Sequence, residues 1–405
     1  MTRGDETRSA SSVLVVAGEP SGDRIAAGVA RALSADGVRC FGMGGEACAL
    51  AGVRVVADLR ASAAMGMTEV AARLPAVLAA YVRLARLVES ERPRAAVLVD
   101  YAEFNQRLGR LLRGLGIPVL RCVAPQVWAW RPGRLATAGR AFDRLALILP
   151  FEEPLWRGVG VDARYVGHPV LDVVPRDRTD ARQKLGLSGD RPAIALLPGS
   201  RRHEVRSLAS RMLETVKELG RLGRGVEARL VVAPSLDEST RHWLREQATR
   251  AAVRTVDVTG DFGAAEWLAA FDASLAASGT ATLESALCGA PPVIVYRVSA
   301  ITAAIARRLI RVPAIGLPNL VLGSRCYPEL LQDDVEPRRM ARAICGILDA
   351  GSAFEPLARR LRKELEPPRS SARTSSERIA AWMNDWLRLP NEHPADLGRP
   401  RAESA

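Results

Sequence analysis

An acidic residue stands where a predicted strand ends. Asp100 directly follows the apolar residues 96–99, and catalytic carboxylates in α/β proteins tend to lie at the C-terminal ends of parallel strands. The same residue could instead be the N-cap of the following helix. Glu103 and Asn105 lie on the same connection. The residues alone leave both roles of Asp100 open.

A turn of small residues, 17–23, leads from the first predicted strand into a helix. Its backbone N–H groups could bind a ligand, because the first amides of a helix have no partner within the helix. A structural turn with Ser21 or Asp23 as the helix N-cap explains the same residues. A second glycine cluster, residues 42–45, resembles another loop where the backbone approaches a ligand.

Aromatic residues follow a third predicted strand. Trp128 and Trp130 stand at alternate positions after residues 119–123, and Arg131 comes next. Tryptophans on a loop favour the wall of a ligand site over a core.

The second half of the chain repeats the passage from strand to loop. Ser200 and Arg201 follow residues 193–197 and supply a guanidinium and backbone amides where a pyrophosphate could bind. Residues 277–280 do the same, and Glu284 falls one helical turn later, where a carboxylate could accept hydrogen bonds from ribose hydroxyls. The sequence has no D-x-D triplet, so we expect no metal cofactor.

These residues need a parallel sheet to position them. Short apolar runs alternate with helix-length amphipathic segments, which predicts an α/β fold with parallel strands. The predicted strands form two groups, so we expect two Rossmann-like, doubly wound domains facing a central cleft, with a hinge near residues 168–178. The expected strands are 13–17, 96–100, 119–123, 145–149, 193–197, 230–233, 255–258, 273–276 and 293–296.

Composition limits the classes of function. The chain has 405 residues, 48% of them hydrophobic and 25% charged, which fits a folded protein with a buried core. The net charge of +12 is mostly due to arginine, so we expect anionic partners: phosphorylated ligands, acidic lipid surfaces or nucleic acid. The six cysteines form no C-x-x-C pair and suit reduced packing positions.

No stretch of the sequence is apolar enough to span a membrane. The longest segment without Asp, Glu, Lys or Arg is residues 312–324, and no signal peptide is apparent, so we expect a cytoplasmic protein. Two basic amphipathic segments, 74–88 and 301–312, could lie on an anionic membrane or could pack on a sheet as ordinary surface helices.

The C-terminal region contains a helix-like segment. Its apolar stripe is formed by Ile379, Trp382, Met383 and Trp386, which must be buried somewhere. The domain limits that we predict are 1–12 for a flexible N-terminus, 13–170 for an acceptor-side domain, 171–365 for a nucleotide-binding domain, 366–389 for a helical segment packing on the first domain or on a partner subunit, and 390–405 for a disordered tail.

Eight short motifs occur in an order that resembles the lipid A disaccharide synthase family, over about residues 13 to 385. They are residues 17–23, 65–70, 125–131, 150–152, 167–169, 197–201, 277–284 and 317–320. The resemblance implies a GT-B glycosyltransferase fold and an enzyme at the cytoplasmic face of the inner membrane. It implies transfer of 2,3-diacylglucosamine from UDP-2,3-diacylglucosamine to 2,3-diacylglucosamine 1-phosphate, which gives a β-1,6-linked disaccharide and UDP. Members of the family exchange C-terminal segments within a dimer, which would bury the stripe at 379–386.

The resemblance also implies roles for individual residues. Asp100 matches the family's general base, although Ala102 and Glu103 replace its usual Pro and second Asp. Donor-side residues matching the family are Ser200, Arg201, Ser278, Gly279, Thr280, Glu284, Asn319 and Gln332. Residues expected to line the acceptor side or the cleft are Gly18, Glu19, Ser21, Met67, Glu69, Asn105, Gln126, Trp128, Trp130 and Arg131.

Other functions remain open at this point. The nearest alternatives are another GT-B enzyme that uses a UDP-sugar, such as a peptidoglycan-precursor glycosyltransferase, or a UDP-GlcNAc 2-epimerase. A non-enzymatic protein of anionic lipid surfaces would not need Asp100 or Arg201 at strand ends. We do not expect a nucleic-acid-binding module, because the arginines are spread over the chain and aromatic residues are only 5%.

Overall fold

The computed structural model describes residues 11–58, 67–127, 132–172, 177–257, 264–299, 303, 314–369 and 371–388. The chain divides into two compact units. Unit 1 comprises Met1–Pro169 together with Pro367–Ala405, and unit 2 comprises Val170–Glu366.

Among its described residues, unit 1 has a parallel sheet of seven strands in the order β3-β2-β1-β4-β5-β6-β7. The strands are β1 Ser12–Ala17, β2 Arg39–Gly44, β3 Arg54–Asp58, β4 Ala95–Val99, β5 Val119–Cys122, β6 Arg144–Leu147 and β7 Asp162–Tyr165. The helices before the second unit are α1 Pro20–Ala35, α2 Glu46–Leu50, α3 Met67–Glu91, α4 Ala102–Gly114, α5 Leu135–Gly139 and α6 Glu152–Arg157.

Apart from Ser12 and Arg121, the strands β1, β4 and β5 of unit 1 are apolar because both faces of the sheet are covered. In β1, Val13 and Val15 enter the core on one side, whereas Leu14 and Val16 enter the core on the other. Successive side chains of a strand point to opposite faces, so a strand between two helical layers needs apolar residues at every position.

The glycine cluster at residues 42–45 is mainly strand, so its interpretation as a ligand loop is wrong. β2 runs through Gly44, and Gly42 pairs with Val15 of β1. A Cβ atom at Gly42 would lie 2.0 Å from the backbone oxygen of Val15. The glycine is therefore explained by the close approach of two strands.

Unit 2 has a parallel sheet in the order β10-β9-β8-β11-β12-β13, six strands among its described residues. The strands are β8 Ala193–Leu197, β9 Glu227–Val232, β10 Arg254–Asp257, β11 Ala273–Ala277, β12 Pro292–Tyr296 and β13 Glu329–Leu331. Its helices are α7 Arg178–Lys184, α8 Arg202–Arg221, α9 Glu238–Arg250, α10 Ala265–Leu268, α11 Thr280–Leu287, α12 Leu317–Leu322, α13 Pro337–Ala350 and α14 Glu355–Glu364.

Both sheets have the strand order of a doubly wound Rossmann-like fold. In each, the order reverses direction beside the first strand, and ligands of such sheets bind beyond the carboxyl ends of the strands at that point. The reversal lies between β1 and β4 in unit 1 and between β8 and β11 in unit 2. The prediction of two Rossmann-like α/β units is therefore confirmed.

The C-terminal helix, α15 Ser375–Arg388, packs on α1 within unit 1. Ile379 and Met383 are completely buried in the core next to β1. Arg144 of β6 donates to the Asp385 carboxylate at 2.7 Å, and its guanidinium lies 4.2 Å from the centre of the Trp386 ring. The apolar stripe is thus covered by residues of the same chain.

The basic segment 74–88 belongs to α3, and its apolar stripe is divided between core and solvent. Leu84 and Val88 are buried, whereas Leu78 is 59% exposed and Val82 39% exposed. The other basic segment, 301–312, lies outside the described residues except for Ala303. In the part of the chain that the structure describes, no helix is long and apolar enough to cross a membrane.

Candidate active site

The loops after β1 and β4 meet at the switch point of unit 1. Ala17, the last residue of β1, pairs with Val99, the last residue of β4. Gly18 and Asp100 therefore leave adjacent strands at the same level of the sheet. Gly18 belongs to the predicted ligand loop and Asp100 is the candidate general base, and the strand order brings the two residues together.

Gly18 lies against the side chain of Tyr101. A Cβ atom at Gly18 would be 2.0 Å from Cγ and 2.2 Å from Cδ1 of Tyr101. The Tyr101 ring also stacks on Phe104, with 5.0 Å between ring centres. The first loop must carry a glycine here because the aromatic residue after Asp100 occupies the space of a side chain.

Asp100 is half-buried, and its carboxylate accepts no hydrogen bond from any residue that the structure describes. The N-cap of α4 is Tyr101, and no side chain caps this helix in the described part of the chain. The alternative in which Asp100 serves as a helix cap is therefore not supported. A carboxylate at a switch point without a protein hydrogen-bond donor is placed to act on a ligand.

The backbone of Asp100 is held in an uncommon conformation. Asp100 and Tyr101 both have φ of 50°, which is the left-handed region for two successive residues with side chains. The Asn105 side-chain amide stabilises this turn by donating to the Val99 oxygen at 3.1 Å and to the Asp100 oxygen at 2.7 Å. Asn105 is buried, and it orients Asp100 through hydrogen bonds to the backbone.

Arg121 is a charged residue inside the sheet next to this turn. It lies on β5 and is only 1% exposed, and its Nη2 donates to the Asp100 backbone oxygen at 3.3 Å. Burial lowers the pKa of Arg121 to about 10, although the Asp100 carboxylate acts in the opposite direction. Nη1 of Arg121 has no hydrogen-bond partner among the described residues. The turn at residues 100–101 is thus hydrogen-bonded to a buried cation, and none of the sequence motifs predicts this role of Arg121.

Asp23, in the first turn of α1, anchors the start of this helix to the N-terminus of α2. Its carboxylate accepts hydrogen bonds from Gly45 N at 2.7 Å and Ala47 N at 3.0 Å. Glu19, not Ser21 or Asp23, is the N-cap of α1, and no side chain caps this helix among the described residues. The N-cap interpretation of Ser21 and Asp23 is therefore wrong. Ser21 is half-buried at the first turn of α1.

The remaining acceptor-side predictions are placed less fully. Gln126 is exposed on the loop after β5. Met67 and Glu69 begin α3, but their side chains lie outside the described residues, as do Trp128, Trp130 and Arg131 entirely. A role in acceptor binding stays a prediction for all of these.

The switch point of unit 2 carries the predicted donor-side loops. Leu197 near the end of β8 pairs with Ala276 of β11, so the loops containing Arg201 and Ser278 start from adjacent strands. The Arg201 side chain is 41% exposed, and its Nη1 lies 3.5 Å from Oε1 of the buried Glu204. The backbone oxygen of Ser200 accepts from the Ser235 hydroxyl at 3.2 Å.

Thr280 opens α11, and Gly279 precedes it as the N-cap. No side chain caps this N-terminus in the described part of the chain, and uncapped first amides of a helix can bind an anion. Glu284 is buried one turn later. Burial, and to a smaller extent the charge of Glu284, raise the pKa of the Cys288 thiol to about 12. The contact of Glu284 with a ribose stays a prediction.

Asn319 is completely buried, and its amide is used within the protein. Nδ2 donates to the Tyr327 oxygen at 2.8 Å and to Glu329 Oε1 at 2.9 Å, and Oδ1 accepts from Tyr327 N at 2.8 Å. Both amide hydrogens are therefore taken. A direct contact with a nucleotide stays a prediction, and the structure gives Asn319 a clear positioning role.

Glu329 extends this network toward Ser278. It accepts from Ile315 N at 3.1 Å and Gly316 N at 2.9 Å, and the Ile315 oxygen accepts from the Ser278 hydroxyl at 3.3 Å. Asn319 thereby supports the loop before α11 through two intermediate residues. Gln332 lies nearby on the loop after β13, with φ of 53°, and its Oε1 accepts from Val298 N at 3.4 Å.

Arg121, Glu329 and Tyr101 support the site but are not among the residues predicted from the sequence. The sequence contains a signal for one of them. Arg121 interrupts the apolar strand 119–122, and a charged residue in a buried strand calls for a specific role. No comparable signal marks Glu329 or Tyr101, because their roles depend on neighbours distant in sequence.

The chain matches the sequence profile of the family described as lipid-A-disaccharide synthetase over residues 13–380. The chain belongs to this family. A lipid-A-disaccharide synthase of Myxococcus xanthus is 42% identical over 347 residues, which cover 85% of this chain and 89% of the relative. The enzyme of the same name from Syntrophus aciditrophicus is 41% identical over 374 residues, which cover 90% of this chain and 96% of the relative. The protein is accordingly a hexosyltransferase of lipid A synthesis.

Solved structures share the architecture at low sequence identity. An S. aureus MnaA structure with UDP has a TM-score of 0.63 and 12% identity, over 95% of this chain and 99% of that one. MurG of Acinetobacter baumannii has a TM-score of 0.55 and 14% identity, over 93% and 99% of the two chains. These similarities confirm the GT-B fold that the motif series implies.

Proposed function

We propose that this protein transfers 2,3-diacylglucosamine from UDP-2,3-diacylglucosamine to the 6-hydroxyl of 2,3-diacylglucosamine 1-phosphate. The family supports the reaction. The observation that carries the residue assignment is the Asp100 carboxylate, half-buried at the switch point and without a hydrogen bond from any described residue.

Asp100 is the proposed general base. Its carboxylate takes the proton of the acceptor 6-hydroxyl as that oxygen forms a bond to the anomeric carbon of the donor. The bond from the anomeric carbon to the UDP oxygen breaks in the same step, and UDP leaves with the electron pair. A single displacement inverts the anomeric centre and gives the β linkage. General base assistance of this kind is typically worth about 10² to 10⁴ in rate.

Unit 2 is proposed to stabilise the leaving UDP. Arg201 supplies a partly exposed guanidinium, and the uncapped N-terminus of α11 supplies amides beside Ser278, Gly279 and Thr280. Both features favour a diphosphate. Among the described residues, no group of three His, Cys, Asp or Glu side chains could hold a metal ion. We propose that these cationic and amide groups serve without a metal, so that excess EDTA should leave turnover unchanged.

The acyl chains of both substrates call for an apolar surface near the site. We propose that α3 supplies membrane contact at the cytoplasmic face of the inner membrane, through its exposed Leu78 and Val82 with Arg86 beside them. Flotation with anionic liposomes tests this: replacing Leu78 and Val82 by serine should reduce the bound fraction, and unchanged flotation would exclude the role. A homodimer through the C-terminal segment stays a prediction. The apolar stripe of α15 does not require a partner subunit, since it is already buried on α1 of the same chain.

The decisive experiment measures UDP release by the purified full-length chain. Release should require both lipid substrates. Asp100→Asn should lower kcat by about 10² to 10⁴ while the affinity for UDP, measured by titration calorimetry, stays the same. UDP release from UDP-GlcNAc alone, or conversion of that sugar to an epimer, would instead support the epimerase alternative.

Glu103→Gln is the matched control. Glu103 is an exposed carboxylate in the first turn of α4, three residues after Asp100. We expect its kcat to stay within about threefold of the wild type, since solvent screens an exposed charge and its interactions with neighbouring groups are weak. Loss of turnover in Glu103→Gln with normal turnover in Asp100→Asn would move the base from residue 100 to residue 103.

A further inference from the structure

A basic cavity lies in unit 2 beside the first two turns of α8. It has a volume of about 300 Å³ and is lined by His203, Ser207, Arg297, Val298 and Ser299. Two of these residues belong to α8, and the other three form the loop after β12. None of them has a role in the reaction proposed above.

The positive charge of this cavity is not neutralised by the described residues around it. Arg297 is half-buried and forms no ion pair or hydrogen bond in the described part of the chain. The pKa of the nearby Arg211 is lowered, chiefly by burial and further by the charge of Arg297, whereas Glu214 acts in the opposite direction. The repulsion between the two arginines indicates that Arg297 faces a cationic environment.

Two acidic side chains of α8 belong to this region, Glu204 and the exposed Glu214, and Glu214 acts on Arg211. Glu204 on α8 faces Arg201. In the sequence, residues 300–313 contain no Asp or Glu and include three arginines. A partly buried guanidinium is costly without an anionic partner. A ligand that carries negative charge would therefore relieve this site.

We propose that this cavity binds a phosphate group, held by Arg297 with His203 and the Ser207 hydroxyl. A phosphate oxygen matches the planar fork of an arginine and accepts from hydroxyl and imidazole N–H donors. His203 and Ser207 lie within the first two turns of a 20-residue helix, whose dipole also favours an anion. The volume of the cavity accommodates a phosphate and part of the group that carries it.

Two sources of phosphate fit this chemistry: a substrate of the enzyme or the headgroup of an anionic phospholipid. If the phosphate belongs to a substrate, this inference rests on the proposed function. Three measurements on the full-length protein separate the sources: titration with UDP, KM for 2,3-diacylglucosamine 1-phosphate, and binding to phosphatidylglycerol vesicles.

Arg297→Gln is the test variant. We expect at least one of the three quantities to weaken by about tenfold or more, because a charge-assisted hydrogen bond contributes about that much to binding. A weaker UDP titration or a raised acceptor KM assigns the phosphate to a substrate, and weaker vesicle binding assigns it to a lipid. His203→Gln, at an exposed position, should reduce the same quantity by about threefold and guards against a folding defect in Arg297→Gln.

Arg338→Gln is the matched control for charge. Its side chain is 80% exposed on unit 2, and the variant loses the same unit charge. All three quantities should stay within about twofold of the wild type. An equal loss in Arg338→Gln and Arg297→Gln would overturn the proposal, as would unchanged values in Arg297→Gln and His203→Gln. Failure of the proposed function looks different, because wild-type protein would then release no UDP from the lipid substrates.

Discussion

Gly18→Ala should displace Tyr101 and, with it, Asp100. The new Cβ atom would lie 2.0, 2.2 and 2.4 Å from Cγ, Cδ1 and Cβ of Tyr101. These atoms belong to the root of the side chain, so rotation of the ring alone cannot remove all three contacts. The backbone of residues 100–101 must move instead.

The size of the movement follows from the contact distances. Ordinary van der Waals contact begins at 3.4 Å, so the 2.0 Å contact requires a shift of about 1.4 Å. Tyr101 is held by its stacking on Phe104, and the left-handed turn at residues 100–101 is held by Asn105. A misplacement of about 1 Å in a catalytic group can lower the rate about 10²-fold. We therefore expect kcat to fall by about 10², with UDP affinity unchanged because the residues proposed to bind the nucleotide belong to unit 2.

The assay is steady-state UDP release together with UDP titration. Gly22→Ala is the matched control on the same loop, since its Cβ would lie 3.4 Å from Val99 Cγ1 and 3.6 Å from the Asp100 Cβ, both ordinary contacts. Its kcat should stay within about threefold of the wild type. In the double variant Gly18→Ala with Tyr101→Gly, the Cβ, Cγ and Cδ1 atoms that cause the clash are all absent, and kcat should recover by about tenfold relative to Gly18→Ala.

Normal turnover in Gly18→Ala would refute the reasoning, since Asp100 could then not depend on the fit between the two loops. Equal losses in Gly18→Ala and Gly22→Ala would also refute it, because the contact distances predict a difference. A double variant no better than Gly18→Ala would show that Tyr101 does not transmit the displacement.

Three further predictions concern other parts of the molecule. Arg201→Ala should weaken UDP binding by about tenfold or more in titration calorimetry, with Arg338→Ala as an exposed control; equal effects would remove Arg201 from the nucleotide site. Burial lowers the pKa of His168 from 6.5 to about 4, so its neutral form stabilises the fold above pH 6.5 and that stability is lost as the pH falls toward 4. Between pH 7 and pH 5, wild type should therefore lose about 2 kcal/mol more unfolding free energy than His168→Gln in urea titrations, and parallel losses would contradict this. Asn319→Leu should lower the unfolding free energy by about 2–4 kcal/mol, because it leaves the buried Tyr327 backbone groups and Glu329 without the hydrogen bonds of Asn319. An unchanged unfolding free energy would show that this network does not stabilise the fold.

The sequence predicts the central strands well because they are buried on both faces. An uninterrupted apolar run such as 13–17 can be recognised without knowing its neighbours. Strands at the margins of the sheets are harder to recognise. The two glycines of Arg39–Gly44 predict a loop over part of this strand, and Asp162–Tyr165 alternates exposed with buried residues over only four positions.

The candidate site divides in the same way. Asp100 and Arg201 can be found from the sequence, because each follows an apolar run that must be a strand. Arg121 and Asn319 could not be given their roles. Arg121 acts through the backbone of Asp100, 21 residues away, and Asn319 acts through Tyr327 and Glu329, in contacts that no local pattern reports.

The sequence by itself determined the two α/β halves, the loops that end their central strands and the family. Local periodicity and motif order suffice for these properties, since each is encoded in neighbouring residues. Only the tertiary structure decided that the Asp100 carboxylate lacks a cap role, that Gly18 makes room for Tyr101 and that a buried arginine lies behind the turn. These facts depend on which strands are neighbours in the sheet, and pairing between strands is a property of the whole fold.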